Sequence, residues 1–307
     1  MPTGFLTHSL CAAHEMGSWH PECPARLSAI HDQLIVSGLA PFLEHIDAPP
    51  APLEALIRAH APEYVEYLQD RAPKRGYLPL DPDTSMNPST WQAALHAAGA
   101  VVEATNRVID GSLANAFCAV RPPGHHARPA AAMGFCVLNN VAIGALNALE
   151  VHGLERVAII DFDVHHGNGT EEIFEGDERV LMASFFQHPF YPYSGTENPA
   201  KNMVNVPLPA GTKGEKVRAV LDEIWMPRLE QFAPQMILVS AGFDAHREDD
   251  LGQMGLVEAD YAYMTERLLD LAARHCGGRL VSTLEGGYNL SALGRSVVAH
   301  LRALARL

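Results

Sequence analysis

The chain has 307 residues, enough for one large domain or two small ones, and its 48% hydrophobic and 19% charged content supports a full-sized core and excludes a disordered chain. A net charge of −14 argues against non-specific nucleic-acid binding, which needs a basic surface, and favours the approach of cationic substrates. Five cysteines, at 11, 23, 118, 136 and 276, are odd in number and lack C-x-x-C spacing. That pattern disfavours a disulfide framework or a cysteine-rich zinc module and fits a reducing compartment.

In chain order, "MPTGFLTHSLCAAHEMG" lacks a basic start followed by a long apolar stretch, so no secretory signal is expected. No later window approaches the roughly 18 apolar residues of a membrane span, and a cytoplasmic protein is expected. The proline-rich stretch 48–52 and the segment 72–88 read as surface connections. "PSTWQAALHAAGAVVEATNRVIDG" (88–111) puts Trp91, Ala94, Leu95, Ala98, Val101, Val102 and Val108 near one helical face, with Gly111 as its stop. "AFCAV" (116–120) reads as a buried strand, and "LNNVAIGALNALEVHG" (138–153) as a helix. Further strands are expected at "RVAII" (156–160), "RVLMASF" (179–185), "MILVSA" (236–241) and "RLVSTL" (279–284), with a helix at "ADYAYMTERLLDLAARHCGG" (259–278). Runs buried on both faces are typical of parallel sheets, so the expected fold is a three-layer α/β domain around a mainly parallel sheet.

Four of the strands end in polar segments: "RPPGHHA", "DFDVHHGNGT", "GFDAH" and "EGGYN". Ligands of open parallel sheets bind outside the carboxyl ends of the strands, so the four segments are expected to converge. Asp163 and His165 are two residues apart and point the same way in extended chain, and Asp244 supplies a third ligand from another strand. Two carboxylates and one imidazole leave positions open for water and substrate. Zinc is the first choice for such a set, with Fe(II), Co(II) and Mn(II) as alternatives. As isolated features the aspartates would read as helix caps. The prolines and Gly124 hold the backbone before His125 and His126, which suit proton transfer beside a metal. Gly286 and Gly287 allow close backbone approach and present Tyr288 as a donor to an oxyanion.

These segments, with "GFCVLNN" and "HPECPARL" (20–27), resemble the zinc-dependent histone deacetylase superfamily, most closely its class II-like and bacterial members and the related acetylpolyamine amidohydrolases. The resemblance spans about residues 14–290 and implies the arginase–deacetylase sandwich as a single catalytic domain over 1–307. It implies that Asp163, His165 and Asp244 bind Zn²⁺, that His126 is the general base and later acid, and that His125, oriented by Asp161, is its electrostatic partner. Tyr288 would stabilise the oxyanion. Gly134, Phe135, Tyr191, Leu251 and Gly287 would contact substrate, Tyr191 standing where phenylalanine is commoner. Arg26 would line an internal channel, and Asp161 and Ser184 a structural K⁺ site. Asn168 stands where class I enzymes have an aspartate.

The implied activity is hydrolysis of an acyl group from a lysine side chain of a peptide or protein, or from an acylated small amine. A homo-oligomer is left open; nucleic-acid and membrane partners are not expected. An arginase-like ureohydrolase is disfavoured because a second metal needs further aspartates where this chain offers histidines and a tyrosine. A silent acyl-binding module would need neither Tyr288 nor the histidine pair. Acetylpolyamine hydrolases resemble one another in a rim glutamate seven residues after the third metal ligand. Here that position is Leu251, although the adjacent Asp249 and Asp250 add negative charge nearby.

Overall fold

The structure is a computed structural model that describes residues 1–307. Its strands are β1 (Thr3–Thr7), β2 (Leu43–Asp47), β3 (Leu78–Pro79), β4 (Ser85–Met86), β5 (Asn115–Cys118), β6 (Val157–Asp161), β7 (Val180–Gln187), β8 (Met203–Leu208), β9 (Met236–Ala241) and β10 (Leu280–Leu284). Eight of them form one sheet in the order β2-β1-β5-β10-β9-β6-β7-β8, every pair parallel; β3 and β4 form a separate antiparallel pair.

Alternation along each strand divides the core into two layers. Val157 and Ile159 of β6, with Met236 and Leu238 of β9, face one cluster. That side is covered by α2 (Leu53–Ala59), α3 (Pro62–Arg71), α4 (Thr90–Asp110) and α5 (Asn140–Leu146). Ala158, Ile160, Ile237 and Val239 face the other cluster, beneath α1 (Ala25–Val36), α7 (Gly214–Val220), α8 (Met226–Phe232), α9 (Glu258–His275) and α10 (Leu290–Ala305). The short α6 (Asn168–Phe174) follows the β6 loop. The result is the three-layer α/β sandwich expected from the apolar runs, and no helix is long and apolar enough to cross a membrane.

Two departures from the sequence reading have plain causes. Edge strands β2 and β8 were not anticipated because their outer residues are polar or exposed, and β8 contains Pro207, which only an edge position tolerates. The segment 72–88 is not merely a surface connection. It forms the β3–β4 pair, buries Thr84 and Met86, and delivers Asp83 to the site described below.

His300 of α10 sits fully buried against Phe117, Phe162 and Phe243, its ring nitrogens 2.6 Å from Thr265 Oγ1 and 2.8 Å from Ser282 Oγ. Burial lowers its pKa from 6.5 to about 3, so the folded state keeps it neutral. The unfolded chain takes up the proton first as pH falls below 6.5, and this contribution to stability is lost progressively down to about pH 3. Between pH 7 and pH 5 the loss from this residue is about 2 kcal/mol. Urea midpoints at the two pH values should therefore differ less in His300→Gln than in the wild type; equal pH sensitivity would remove His300 from the acid response.

Candidate active site

Strands β5, β10, β9 and β6 are consecutive neighbours in the sheet, so their carboxyl ends bring the four polar segments together. Asp163 and His165 follow β6 in a bend, not in the extended chain expected from the sequence, and the Asp163 side chain closes that bend. The Asp163 Oδ1 lies 3.0 Å from His165 Nδ1 and accepts the His165 backbone N–H at 2.8 Å. Asp244, after β9, accepts from the Val164 N–H through Oδ1 at 2.9 Å and places Oδ2 3.2 Å from His165 Nδ1. Ligand atoms of the three residues all lie within 4.8 Å of one another.

Two observations fit this trio to a divalent cation. The Asp244 Oδ2 is buried and, although 3.2 Å from His165 Nδ1, accepts no well-directed hydrogen bond, a costly state for a carboxylate oxygen. Burial and the adjacent Asp163 charge also raise the Asp244 carboxyl to about 7, a like-charge strain that a cation relieves. Space is reserved as well: a Cβ at Gly286 would lie 2.0 Å from Asp244 Oδ2 and 2.6 Å from Asp163 Oδ2. Gly287 adopts φ 118°, which explains the second glycine, and its carbonyl accepts from Arg26 Nε at 2.7 Å rather than facing the cavity.

The two adjacent histidines have different partners. His125 Nδ1 is 2.9 Å from the Asp161 carboxylate, and His126 Nδ1 is 2.7 Å from the Asn168 side-chain oxygen. The rings are 4.0 Å apart. Burial opposes charge on both. At His125 the carboxylates of Asp161 and Asp163 overcome burial and raise the pKa to about 10. At His126 burial, reinforced by His125, holds it well below the usual histidine range. The pair therefore offers one cationic and one neutral imidazole.

A cavity of about 230 Å³ opens over these groups, lined by His126, His165, Gly134, Phe135, Tyr191, Leu251 and Tyr288. Asp250, expected near the rim, and Phe190 and Asp83, which were not anticipated there, complete the wall. The Phe190 ring stacks on His165 at 5.5 Å, and Tyr191 stands edge-on to His126 at 5.3 Å. Tyr288 lies beside Phe135 with its ring 4.9 Å from the Arg26 guanidinium. Asp249 does not add charge to the mouth: it is 4% exposed and turned inward, whereas its neighbour Asp250 is exposed. Asp161 and Ser184 are register partners in β6 and β7, both buried.

Sequence reasoning also missed Glu285, buried at the end of β10. One carboxylate oxygen accepts from Gly124 N at 2.6 Å and His125 N at 3.1 Å; the other accepts from Ser240 Oγ at 3.1 Å. The only cue was its place before the two glycines. His166 is buried and pairs through Nε2 with Glu171, a supporting position.

A family model described as the histone deacetylase domain matches residues 20–304. A probable deacetylase of Archaeoglobus fulgidus is 41% identical over 298 residues, covering 94% of this chain and 82% of that protein. A histone deacetylase-like amidohydrolase of Pseudomonas aeruginosa is 37% identical over 311 residues, covering 94% and 82%. The crystal structure of the HDA15 HD domain superposes with a TM-score of 0.93 at 35% identity, covering all of this chain and 90% of that one.

Proposed function

The chain belongs to the histone deacetylase family, and from that premise we propose that residues 1–307 act as one catalytic domain that hydrolyses acyl groups from lysine side chains. The observation that carries this reading is the Asp163–His165–Asp244 trio beneath a cavity that also presents Tyr288 and the unequal histidine pair. Asp163, His165 and Asp244 would hold Zn²⁺, with Fe²⁺ or Co²⁺ compatible with the same donors. Such a cation supplies Lewis acidity toward the acyl carbonyl and acidifies water.

His126, kept neutral, takes the proton of the attacking water and returns it to the leaving amine. His125, held by the Asp161 carboxylate, keeps a protonated imidazole beside the developing anion. Tyr288 donates from its hydroxyl, which burial keeps protonated, to the oxyanion. Phe135, Phe190 and Tyr191 enclose the methylene chain of the acylated side chain, and the Gly134 carbonyl would accept its amide N–H. Asp161 and Ser184 would contribute to a structural K⁺ site, a role their adjacent register supports. An acylated small amine is the second reading, favoured by the Asp83 and Asp250 carboxylates at the mouth.

Three outcomes test the proposal. Asp244→Ala and His165→Ala should lose bound metal and deacetylation of an acetyl-lysine amide together while remaining folded; stoichiometric metal by elemental analysis in both variants would remove the assignment. Tyr288→Phe should lower kcat by about 10²–10³, the cost of losing an oxyanion donor, with KM little changed. Near-wild-type kcat would exclude Tyr288 from the chemistry. Leu251→Glu should raise kcat/KM for acetylspermidine relative to an acetyl-lysine peptide by about tenfold, because a carboxylate in a partly desolvated mouth attracts a cation more strongly than diffuse surface charge. Wild-type preference for acetylspermidine at physiological ionic strength would transfer the assignment to small amines.

A further inference from the structure

Asp249 has no part in the chemistry above, yet its carboxylate is buried and fully engaged by backbone. One oxygen accepts from Tyr288 N at 2.6 Å and from Asn289 N at 2.9 Å; the other accepts from Leu251 N at 3.0 Å. The first two donors belong to the peptide units on either side of the Tyr288 Cα. Holding both fixes the direction in which the Tyr288 side chain leaves the backbone. No regular structure does this instead, because residues 285–289 lie between the end of β10 and the start of α10. The Gly286 N–H on Asp163 holds the turn upstream, and Arg26 on the Gly287 carbonyl grips the first of the two peptide units from its other side, but only Asp249 holds both.

We propose that Asp249 is the positioning residue for Tyr288, and that through Leu251 it fixes the tyrosine relative to the wall of the cavity mouth. Burying a carboxylate is unfavourable unless its oxygens are satisfied, so three backbone donors on one planar group set a geometry that a neutral side chain cannot copy. Asparagine shows why. Its oxygen can serve either the Tyr288 and Asn289 pair or Leu251, and its NH₂ group then faces a backbone donor on the other side. The role rests on the amide-hydrolysis reading, in which Tyr288 faces the oxyanion.

A double-mutant cycle on the metal-loaded enzyme separates positioning from general support. Asp249→Ala should lower kcat for an acetyl-lysine amide about tenfold or more, with a smaller change in KM, and Asp249→Asn should fall between it and wild type. In a Tyr288→Phe background the same replacements should cost less than about twofold, since the group they position is already gone. Amide hydrogen exchange over residues 286–290 should quicken in both Asp249 variants while metal content stays near wild type. An equal loss of kcat in the two backgrounds, loss of metal, or wild-type kcat and exchange in Asp249→Ala would overturn the proposal. If Asp249→Ala fails to fold, Asp249→Asn carries the same cycle. An unmodified enzyme without amidase activity would defeat the functional reading alone, because the exchange measurement still tests the positioning.

Discussion

Five carboxylates are buried together at the carboxyl ends of four adjacent strands: Asp161, Asp163, Asp244, Asp249 and Glu285. Anions in such a place are tolerated only when donors or cations satisfy them, and this requirement organises the loops. Most of the donors are backbone N–H groups from other segments. Glu285 after β10 holds the Gly124–His125 backbone after β5, and Asp163 after β6 holds Gly286 after β10. Asp244 after β9 holds Val164 after β6, and Asp249 holds Tyr288 and Asn289. The four loops are stitched to one another by carboxylate–amide bonds, so the site is rigid although almost none of it is helix or strand.

Behind this ring the compensating cations are equally buried. Glu22 accepts from Arg26 Nη1 at 3.1 Å and from Arg121 Nη2 at 2.7 Å, with all three side chains at zero exposure. Arg26 then reaches the carbonyls of Glu285 and Gly287, and Arg121 those of Cys11 and His14. The irregular N-terminal segment is thereby tied to the turn that carries Tyr288. A buried ion cluster of this kind contributes little net stability against a hydrophobic replacement, but removing one partner strands the others without compensation. Its value here is placement.

Strand ends and metal-ligand spacing were legible in the sequence because they depend on local pattern. The apolar runs located β5, β6, β7, β9 and β10, and the Asp163–His165 spacing pointed to a shared site, although a bend closed by the Asp163 carboxylate, not extended alternation, brings the two side chains together. Asp83, Phe190 and Glu285 were not legible in the same way. Asp83 reaches the cavity through a loop whose course depends on packing of Thr84 and Met86, not on any periodicity. Asp249 and Asp250 look interchangeable in "REDDL", yet one side chain turns into the protein and the other stays in water. A pair of like neighbours carries no signal of which will be buried; the donors that decide it lie 39 and 40 residues away, on Tyr288 and Asn289.

The histidine pair shows the same constraint acting on chemistry. Two imidazoles with ring centres 4.0 Å apart in a desolvated site disfavour being charged together, so their partners decide which one carries the proton. Asp161 offers His125 a full negative charge, whereas Asn168 offers His126 only a carbonyl dipole. The Asn168 oxygen still fixes the His126 ring by accepting from Nδ1, which leaves Nε2 as its free base. A carboxylate at 168 would stabilise an imidazolium at 126 and weaken that asymmetry. The amide thus orients His126 without competing for its proton, and positive charge stays on His125, where a carboxylate already balances it.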